Sequence, residues 1–517
     1  MTGDPSAAAA VVCTPLAVEH AALAPVLDSL PVLRTGKGPA RSRLSAGRAE
    51  LRDRPLVVAG LAGAVAEGLA PGDLVVATEV RADPGRAADT GLDGEPGTGR
   101  PIVLPAAPLV AGALRRAGLP VRLGPIRSTD RIVHGAARAE LAAEQVLAVD
   151  MESAQLAAAA GEHPVLVLRA VVDTPEHPLL RPGTAGRGIR ALHNLRAAAP
   201  VLTQWQQALG ARQLVLAAPR SFCAGVARAI EIVERALERY PGPVYVRRQI
   251  VHNAHVVRDL EQRGARFVME LSEVPPGSRV ILAAHGVAPE VHQQAAERNL
   301  QVIDATCPLV TKVHNEVRRY AGRGDTVFLI GHADHEEVVG SQGQAPAQVI
   351  VVGDAAEAAT VQPADPDRVA YAMQTTLAVD EAEQIADVLR SRFPRLTSPA
   401  RDDICYATTN RQRAIRTIAA ETDLVLVVGS ANSSNSLRLV EVAEREGTPA
   451  HLVEDAGEVD LRWLAGVSRI GISAGASAPP HLVEELIQAL AGLGPVDVQT
   501  RDVVDEHLQF SLPREVS

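Results

Sequence analysis

The chain has 517 residues, a formal net charge of −10 and 47% hydrophobic residues, enough for roughly three or four domains with packed cores. The acidic balance excludes a nucleic-acid-binding surface, which needs a basic face, and four cysteines in so long a chain exclude a disulfide framework. No stretch reaches the about 18 apolar residues of a membrane span, and residues 1–10 lack the basic start and apolar run of a secretory signal, so the expectation is a protein of the reducing cytoplasm without membrane or nucleic-acid partners.

In chain order, residues 8–12 predict a strand ending at Cys13-Thr14-Pro15-Leu16 and opening a helix through Glu19 and Leu23. Residues 56–59 are a second strand, followed by Gly60-Leu61-Ala62-Gly63, and residues 73–78 a third. Residues 81–101, rich in Gly, Asp and Pro, read as an exposed loop. Residues 146–149 lead to Asp150-Met151-Glu152-Ser153 and an Ala-rich helix, and residues 165–172 are a buried strand ending in Asp173-Thr174. Strands alternating with helices predict a largely parallel α/β sheet. Cys13 reads as a core cysteine.

The segments GLAGAV, PGDLVVATEV, VDMES and RAVVDT resemble the nucleoside phosphorylase and methylthioadenosine nucleosidase superfamily. The resemblance implies a glycine segment near a ribose or phosphate, Glu152 on the ribose hydroxyls and Asp173 as acid at a purine. The chain departs from the pattern at Val18-Glu19-His20-Ala21, where that family has several glutamates, and it offers almost no aromatic to stack on a base. Glu152 also fits a plain helix start, and Asp173 a cap. The expectation is a scaffold or a site for another ligand, with an active nucleoside hydrolase or phosphorylase as the alternative.

Residues 176–186 form a Pro/Gly-rich turn region, and 189–209 a helix interrupted near Pro200. A new strand near 210–213 sets the boundary between two units, 1–210 and 213–517. In the second, three cysteines share one placement. Leu214-Val215-Leu216 precedes Cys223, Val302-Ile303 precedes Cys307, and Asp403-Ile404 precedes Cys405. A helical apolar pattern leaves each of them, such as Val226, Ile230, Val233 and Leu237, or Leu309, Val313 and Val317. Helix N-termini favour a thiolate, the metal-binding form. Three strand–Cys–helix units at near-regular intervals predict three α/β layers meeting at one point.

Any one of these cysteines alone reads as a small buried hydrophobe. Structural zinc usually draws on closely spaced pairs such as C-x-x-C, which are missing here. Iron–sulfur clusters are usually held by four thiolates, so three would leave one iron open to substrate. Polar residues also end the predicted strands: His252-Asn253, His285-Gly286, Gly331 to Glu337, Gly429 to Asn435, and Ala474 to Ser477. Ligands of open α/β sheets bind at such ends, and Ser, Asn, His and helix N-termini suit phosphate oxygens.

From about Gln213 onward, PRSFCAGVARAI, VHNAHVV, AAHGV, DATCPLVTKVH, GHADHEEVVG, QTTL, DDICYATTNRQ, GSANSSNSLRL and SAGASAP follow one another. In that order they resemble the 4-hydroxy-3-methylbut-2-enyl diphosphate reductase family, which performs the last step of the non-mevalonate isoprenoid route. The resemblance implies a trefoil of three α/β subdomains around a central 4Fe–4S cluster, one per chain, on Cys223, Cys307 and Cys405 with one iron open. It implies that His252, His285, Ser433, Ser434, Asn435 and Ser477 grip the substrate diphosphate while its hydroxyl meets the open iron. It implies Glu337 as proton source, with His335 and Thr375 shaping the proton path and Thr376 in support. Two electrons would come from a ferredoxin or flavodoxin, since no flavin or nicotinamide fingerprint is evident. The products would be isopentenyl and dimethylallyl diphosphate. A general acid must be protonated at working pH, so Glu337 needs a raised pKa; as a helix first-turn carboxylate it would need none. The chain departs from the family at Glu336, usually Pro, at Leu437, usually Asn, and at Pro480. The competing readings are a nucleoside-cleaving enzyme with an accessory C-terminal half and a zinc-stabilised binding protein.

Overall fold

The computed structural model describes residues 9–83, 100–179, 181–399 and 403–517; residues 84–99 of the expected exposed loop lie outside the described residues. The chain divides into two units. Met1–Gln213, Asp455–Ser468 and Glu484–Asp497 make the first, and Leu214–Glu454, Arg469–Val483 and Val498–Ser517 the second. Two short segments from late in the chain thus group with the first unit, which a split by chain order does not capture. Among the described residues no helix is long and apolar enough to cross a membrane.

In the first unit, runs of Val, Leu and Ala form eight strands: β1 (Val11–Thr14), β2 (Val32–Arg34), β3 (Leu56–Ala64), β4 (Leu74–Ala82), β5 (Ile102–Val103), β6 (Val121–Ser128), β7 (Ala148–Asp150) and β8 (Val165–Asp173). Their order is β2-β1-β3-β7-β6-β4-β5, with β8 paired to both β3 and β4. That double pairing closes β3, β7, β6, β4 and β8 into a ring. The β3–β7, β4–β5 and β4–β8 ladders are antiparallel and the other five parallel, so the sheet is mixed, less parallel than the alternation of elements suggests. β8 runs between β3 and β4, parallel to the first and antiparallel to the second.

β3 also runs straight through Gly60–Gly63, expected as a separate segment after the strand. A Cβ at Gly60 would lie 2.6 Å from both Arg169 Nη1 and Glu19 Oε1, so the glycine makes room for a buried ion cluster. The helices Thr184–Ala197 and Ala199–Gln207 reproduce the interrupted helix, with Pro200 in the first turn of the second. Cys13 is fully buried in this unit's apolar core, and burial pushes its thiol up to about 12.

The second unit holds three sheets. The first has the order β11 (Ala265–Val268), β10 (Val244–Arg247), β12 (Arg279–Leu282), β13 (Gln301–Asp304). The second is β15 (Val349–Val352), β14 (Thr326–Ile330), β16 (Val369–Met373). The third is β18 (Ala450–Val453), β17 (Leu424–Val428), β19 (Arg469–Ala474), β9 (Arg212–Ala218), β20 (Val496–Asp502). Each repeats one device: β10, β14 or β17 lies between the next two strands in the chain, through parallel ladders. Beyond them, β13 flanks β12 and leads to Cys307, and β9 flanks β19 and leads to Cys223.

The third cysteine departs from this pattern. Among the described residues, β16 carries a single parallel bridge on the edge away from β14, Ala370–Thr397, and no strand directly precedes Cys405. Asp403 Oδ2 accepts the Met373 N–H at 2.9 Å.

Candidate active site

In a parallel sheet whose central strand feeds neighbours on both sides, a crevice opens at the carboxyl ends of the strands. The second unit has three such crevices, and each expected residue lies at one. His252 follows β10 and His285 follows β12; His335 and Glu337 follow β14 and Thr375 follows β16; Ser433, Ser434 and Asn435 follow β17 and Ser477 follows β19. All nine line one cavity of about 790 Å³, together with Cys223, Cys307 and Cys405. No lysine or arginine is among its described lining residues.

Each cysteine is the residue before a helix: Ala224–Arg239, Pro308–Gly322 and Tyr406–Ala419. Each is pinned by its own amide to a loop that carries a polar lining residue. The Cys223 N–H donates to Ala476 O at 3.2 Å, Cys307 N–H to Ala284 O at 3.0 Å, and Cys405 N–H to Thr375 O at 3.1 Å. The Thr408 N–H donates to Cys405 Sγ at 3.3 Å, and its hydroxyl lies 3.2 Å from the same sulfur. The Tyr406 hydroxyl accepts the Ala224 N–H at 3.1 Å, tying the Cys405 turn to the Cys223 helix. Sequence reasoning missed both side chains; Thr408, three residues past a helix-capping position, is where a capping contact is expected.

Helix N-termini alone do not keep Cys307 and Cys405 ionised. Burial, then the neighbouring sulfurs, push Cys307 up to about 12 and Cys405 up to about 11, so a bound metal would supply the positive charge that a thiolate here needs. Cys307 feels the sulfurs of both Cys223 and Cys405. Cys223, Cys307 and Cys405 are the residues here that could hold an iron–sulfur cluster.

Glu337 is 2% exposed, in the first turn of the helix Glu336–Gln342 that His335 caps, with His335 Nδ1 accepting the Glu337 N–H at 3.2 Å. Burial pushes its carboxyl up to about 7, against the opposing bonds from Thr375. The rings of His252 and His285 stack, with centroids 3.9 Å apart and planes 16° from parallel. Burial lowers both, His285 well below 6.5, and holds His335 at about 4, so all three are neutral donors or acceptors at pH 7. Ser477 Oγ donates to His252 O at 3.0 Å and lies 3.3 Å from Ser433 Oγ, and Thr376 Oγ1 lies 3.2 Å from Ser434 Oγ. Asn435 Oδ1 accepts the Ala476 N–H at 2.9 Å. The added carboxylate, Glu336, pairs with Arg248 at 3.3 Å and comes within 4.8 Å of ligand atoms of His252 and His285. Imidazole lone pairs lie in the ring planes, so two stacked, near-parallel rings aim theirs side by side and are poorly placed to chelate one ion.

The first unit has its own cavity, of about 820 Å³, lined by Glu19, Asp150, Glu152, Asp173, Lys37, Arg131 and Arg138, with apolar walls. The Glu152 and Asp173 of the sequence reading both reach it; its described lining includes no aromatic ring. Glu19, taken from the sequence as part of a departure, also faces it, accepting the N–H groups of Leu16 at 2.6 Å and Leu61 at 2.7 Å. Burial raises Glu19 and Glu152 despite the Arg169 guanidinium between them and Asp150. Asp173 is engaged by Arg138 in a close buried ion pair.

Residues 214–491 match the family described as LytB protein, more than half of the chain. The chain belongs to the LytB protein family. Residues 29–190 match the Phosphorylase superfamily, which gives the N-terminal part a phosphorylase-like fold. The LytB part is 57% identical over 306 residues to the 4-hydroxy-3-methylbut-2-enyl diphosphate reductase of Acidothermus cellulolyticus, covering 59% of this chain and 90% of that one. It is 53% identical over 313 residues to 4-hydroxy-3-methylbut-2-enyl diphosphate reductase 1 of Mycobacterium tuberculosis, covering 60% and 95%. The E-1-hydroxy-2-methyl-but-2-enyl-4-diphosphate reductase structure from Plasmodium falciparum superposes with a TM-score of 0.57 at 34% identity, covering 59% of this chain and 97% of that chain.

Proposed function

We propose that the LytB part, residues 213–517, reductively removes the hydroxyl of 4-hydroxy-3-methylbut-2-enyl diphosphate, giving isopentenyl and dimethylallyl diphosphate in the cytoplasm. The observation that carries this reading is a buried, protonatable carboxyl, Glu337, in one cavity with three converging cysteines and a set of neutral phosphate donors. Cys223, Cys307 and Cys405 would hold a 4Fe–4S cluster with one iron free of protein ligands. When bound, that cluster supplies electrons from a ferredoxin or flavodoxin and a Lewis-acidic site for the alcohol oxygen.

The protein's own groups do the rest. Ser433, Ser434, Asn435, Ser477, His252 and His285 bind the diphosphate and fix the alcohol end toward the cysteines. The apolar walls, Val226, Val310 and Phe510 among them, exclude water around the allylic carbons. Glu337 holds a proton at the leaving oxygen, with Thr375 and His335 setting its orientation. The carbon–oxygen bond breaks and the oxygen leaves as water with one proton. Two electrons enter, and a second proton at either end of the allylic unit gives the two products.

The test is anaerobic reconstitution with iron and sulfide, followed by assay of the diphosphate with a reduced dye. A brown chromophore with turnover supports the reading; a colourless protein, or a cluster with every iron capped by protein, overturns it.

For the first unit, residues 1–210, the Asp173–Arg138 contact favours ligand binding over nucleoside cleavage, because a base reaching Asp173 must first displace the guanidinium. Adenine release from 5′-methylthioadenosine by the whole chain would overturn that.

A further inference from the structure

The three cysteine helices each send one cation onto a neighbouring cysteine's loop, and the three links close a circle. From the Cys223 helix, Arg228 Nη1 donates to Ala305 O and Thr306 O, both at 3.2 Å, in the loop before Cys307. From the Cys307 helix, Lys312 Nζ donates to Asp403 Oδ1 at 3.0 Å, in the loop before Cys405. From the Cys405 helix, Arg411 donates through Nη2 and Nε to Ser221 O, at 2.7 and 3.2 Å, in the loop before Cys223. Each link reaches the residue two positions before the next cysteine: Ala305, Asp403 and Ser221. The cations leave comparable points on their helices, five, five and six residues after their own cysteines.

We propose that Arg228, Lys312 and Arg411 form a closed ring of positioning residues that presets the spacing of the three thiols before a cluster arrives. This rests on reading the three cysteines as cluster ligands. Physically, the loops need such a device. Ser221 has a left-handed backbone, φ 60°, and among the described residues no ladder strand leads to Cys405. Asp403 is fully buried at its side chain, and its two oxygens join Lys312 on one side to the Met373 amide on the other. Arg411 is also fully buried, with Glu506 on its remaining face at 3.2 Å. A hydrogen bond from a charged donor onto a loop outweighs a neutral one, and three in a circle add to the amide links of Cys223, Cys307 and Cys405 a tie from each cysteine loop to another cysteine's helix. The ring touches none of the reacting atoms; it acts through the loops.

The ring has a signature that local support lacks: the disturbed cysteine is the next one round, not the one on the mutated helix. The full chain, reconstituted without air, is challenged with an iron chelator in the presence of an alkylating agent, and labelling is mapped by mass spectrometry; the cluster-free full chain is labelled in parallel. In Arg228→Gln, labelling of Cys307 is expected to rise about tenfold or more, with Cys223 and Cys405 within about twofold of the parent. In Lys312→Gln the rise is expected at Cys405, and Lys312→Arg is expected to restore the parent pattern. Arg411→Lys, the conservative change at the buried position, is expected to raise Cys223 alone. A rise at the mutated helix's own cysteine, an equal rise at all three, or no rise in folded Arg228→Gln and Lys312→Gln overturns the ring. Should the parent chain take up no cluster, the ligand reading falls, and the labelling pattern of the cluster-free chain still decides for or against the ring.

Discussion

Thr375 occupies both carboxylate oxygens of Glu337, its N–H donating to Oε1 at 2.7 Å and its hydroxyl to Oε2 at 2.9 Å. A hydroxyl can donate to a carboxylate and accept from a carboxylic acid, so the same partner serves Glu337 before and after it gives up a proton. Glu337→Gln keeps the shape but has no acid proton. Turnover is expected to fall about 100-fold or more, with the cluster's absorption and diphosphate affinity nearly unchanged. Normal turnover would remove Glu337 from the proton path.

The pH dependence follows from the same carboxyl. Its pKa is raised to about 7, so the acid form is lost as pH rises through about 7, and turnover is expected to fall over that range. Stability has the same sign. A raised carboxyl pKa contributes stability at low pH that is lost between the ordinary value of 4.5 and about 7, a loss on the order of 3 kcal/mol for the ionised form. The melting temperature of Glu337→Gln relative to the parent is therefore expected to climb from pH 5 to pH 9; a constant difference would contradict the assignment.

Diphosphate binding should consume protons. The described lining residues include no lysine or arginine, and burial keeps His252 and His285 neutral, so an incoming anion pulls their pKa values up and draws protons in. Titration calorimetry with inorganic diphosphate in buffers of different ionisation enthalpy should show net uptake near pH 7, and affinity should weaken as pH rises. Burial is the main influence on His252, and Glu336 opposes it, so Glu336→Gln is expected to lower the His252 pKa in the free protein, as read by NMR. Binding without proton uptake would mean that the charge is balanced elsewhere.

Gly225 is a steric test of the metal centre. A Cβ there would lie 2.7 Å from Cys307 Sγ, while alanine is the better helix former by up to about 1 kcal/mol. Gly225→Ala is expected to fold with unchanged helix content by circular dichroism yet bind much less iron. Full iron loading would mean that the Cys307 thiol lies elsewhere in the loaded protein.

In the first unit, Arg169 and Asp150 are paired with side chains 0% and 1% exposed. Arg169→Met leaves buried carboxylates without their counter-charge and should cost about 3–5 kcal/mol, measured as an earlier urea midpoint. A shift within error would mean that the pair is neutralised by proton movement.

By itself the sequence determined the local units: where strands stop, where helices start, and that Cys223, Cys307, Cys405 and the His, Ser and Asn residues lie at those junctions. Such features depend on side-chain periodicity and capping within a few residues, and these are written in consecutive letters. Only the tertiary structure decided what meets what. That Lys312 reaches Asp403, that Arg411 reaches Ser221, that Glu19 and Arg169 share a buried cluster over Gly60, and that the first sheet closes into a mixed ring all depend on pairings between distant stretches. Cys405 shows the boundary between the two kinds of information. Its helix was legible, but among the described residues no strand precedes it, and the Asp403 carboxyl there takes partners, Lys312 and the Met373 amide among them, from elsewhere in the chain. Local propensity has no access to such partners, because the energy that selects them appears only once the chain has packed.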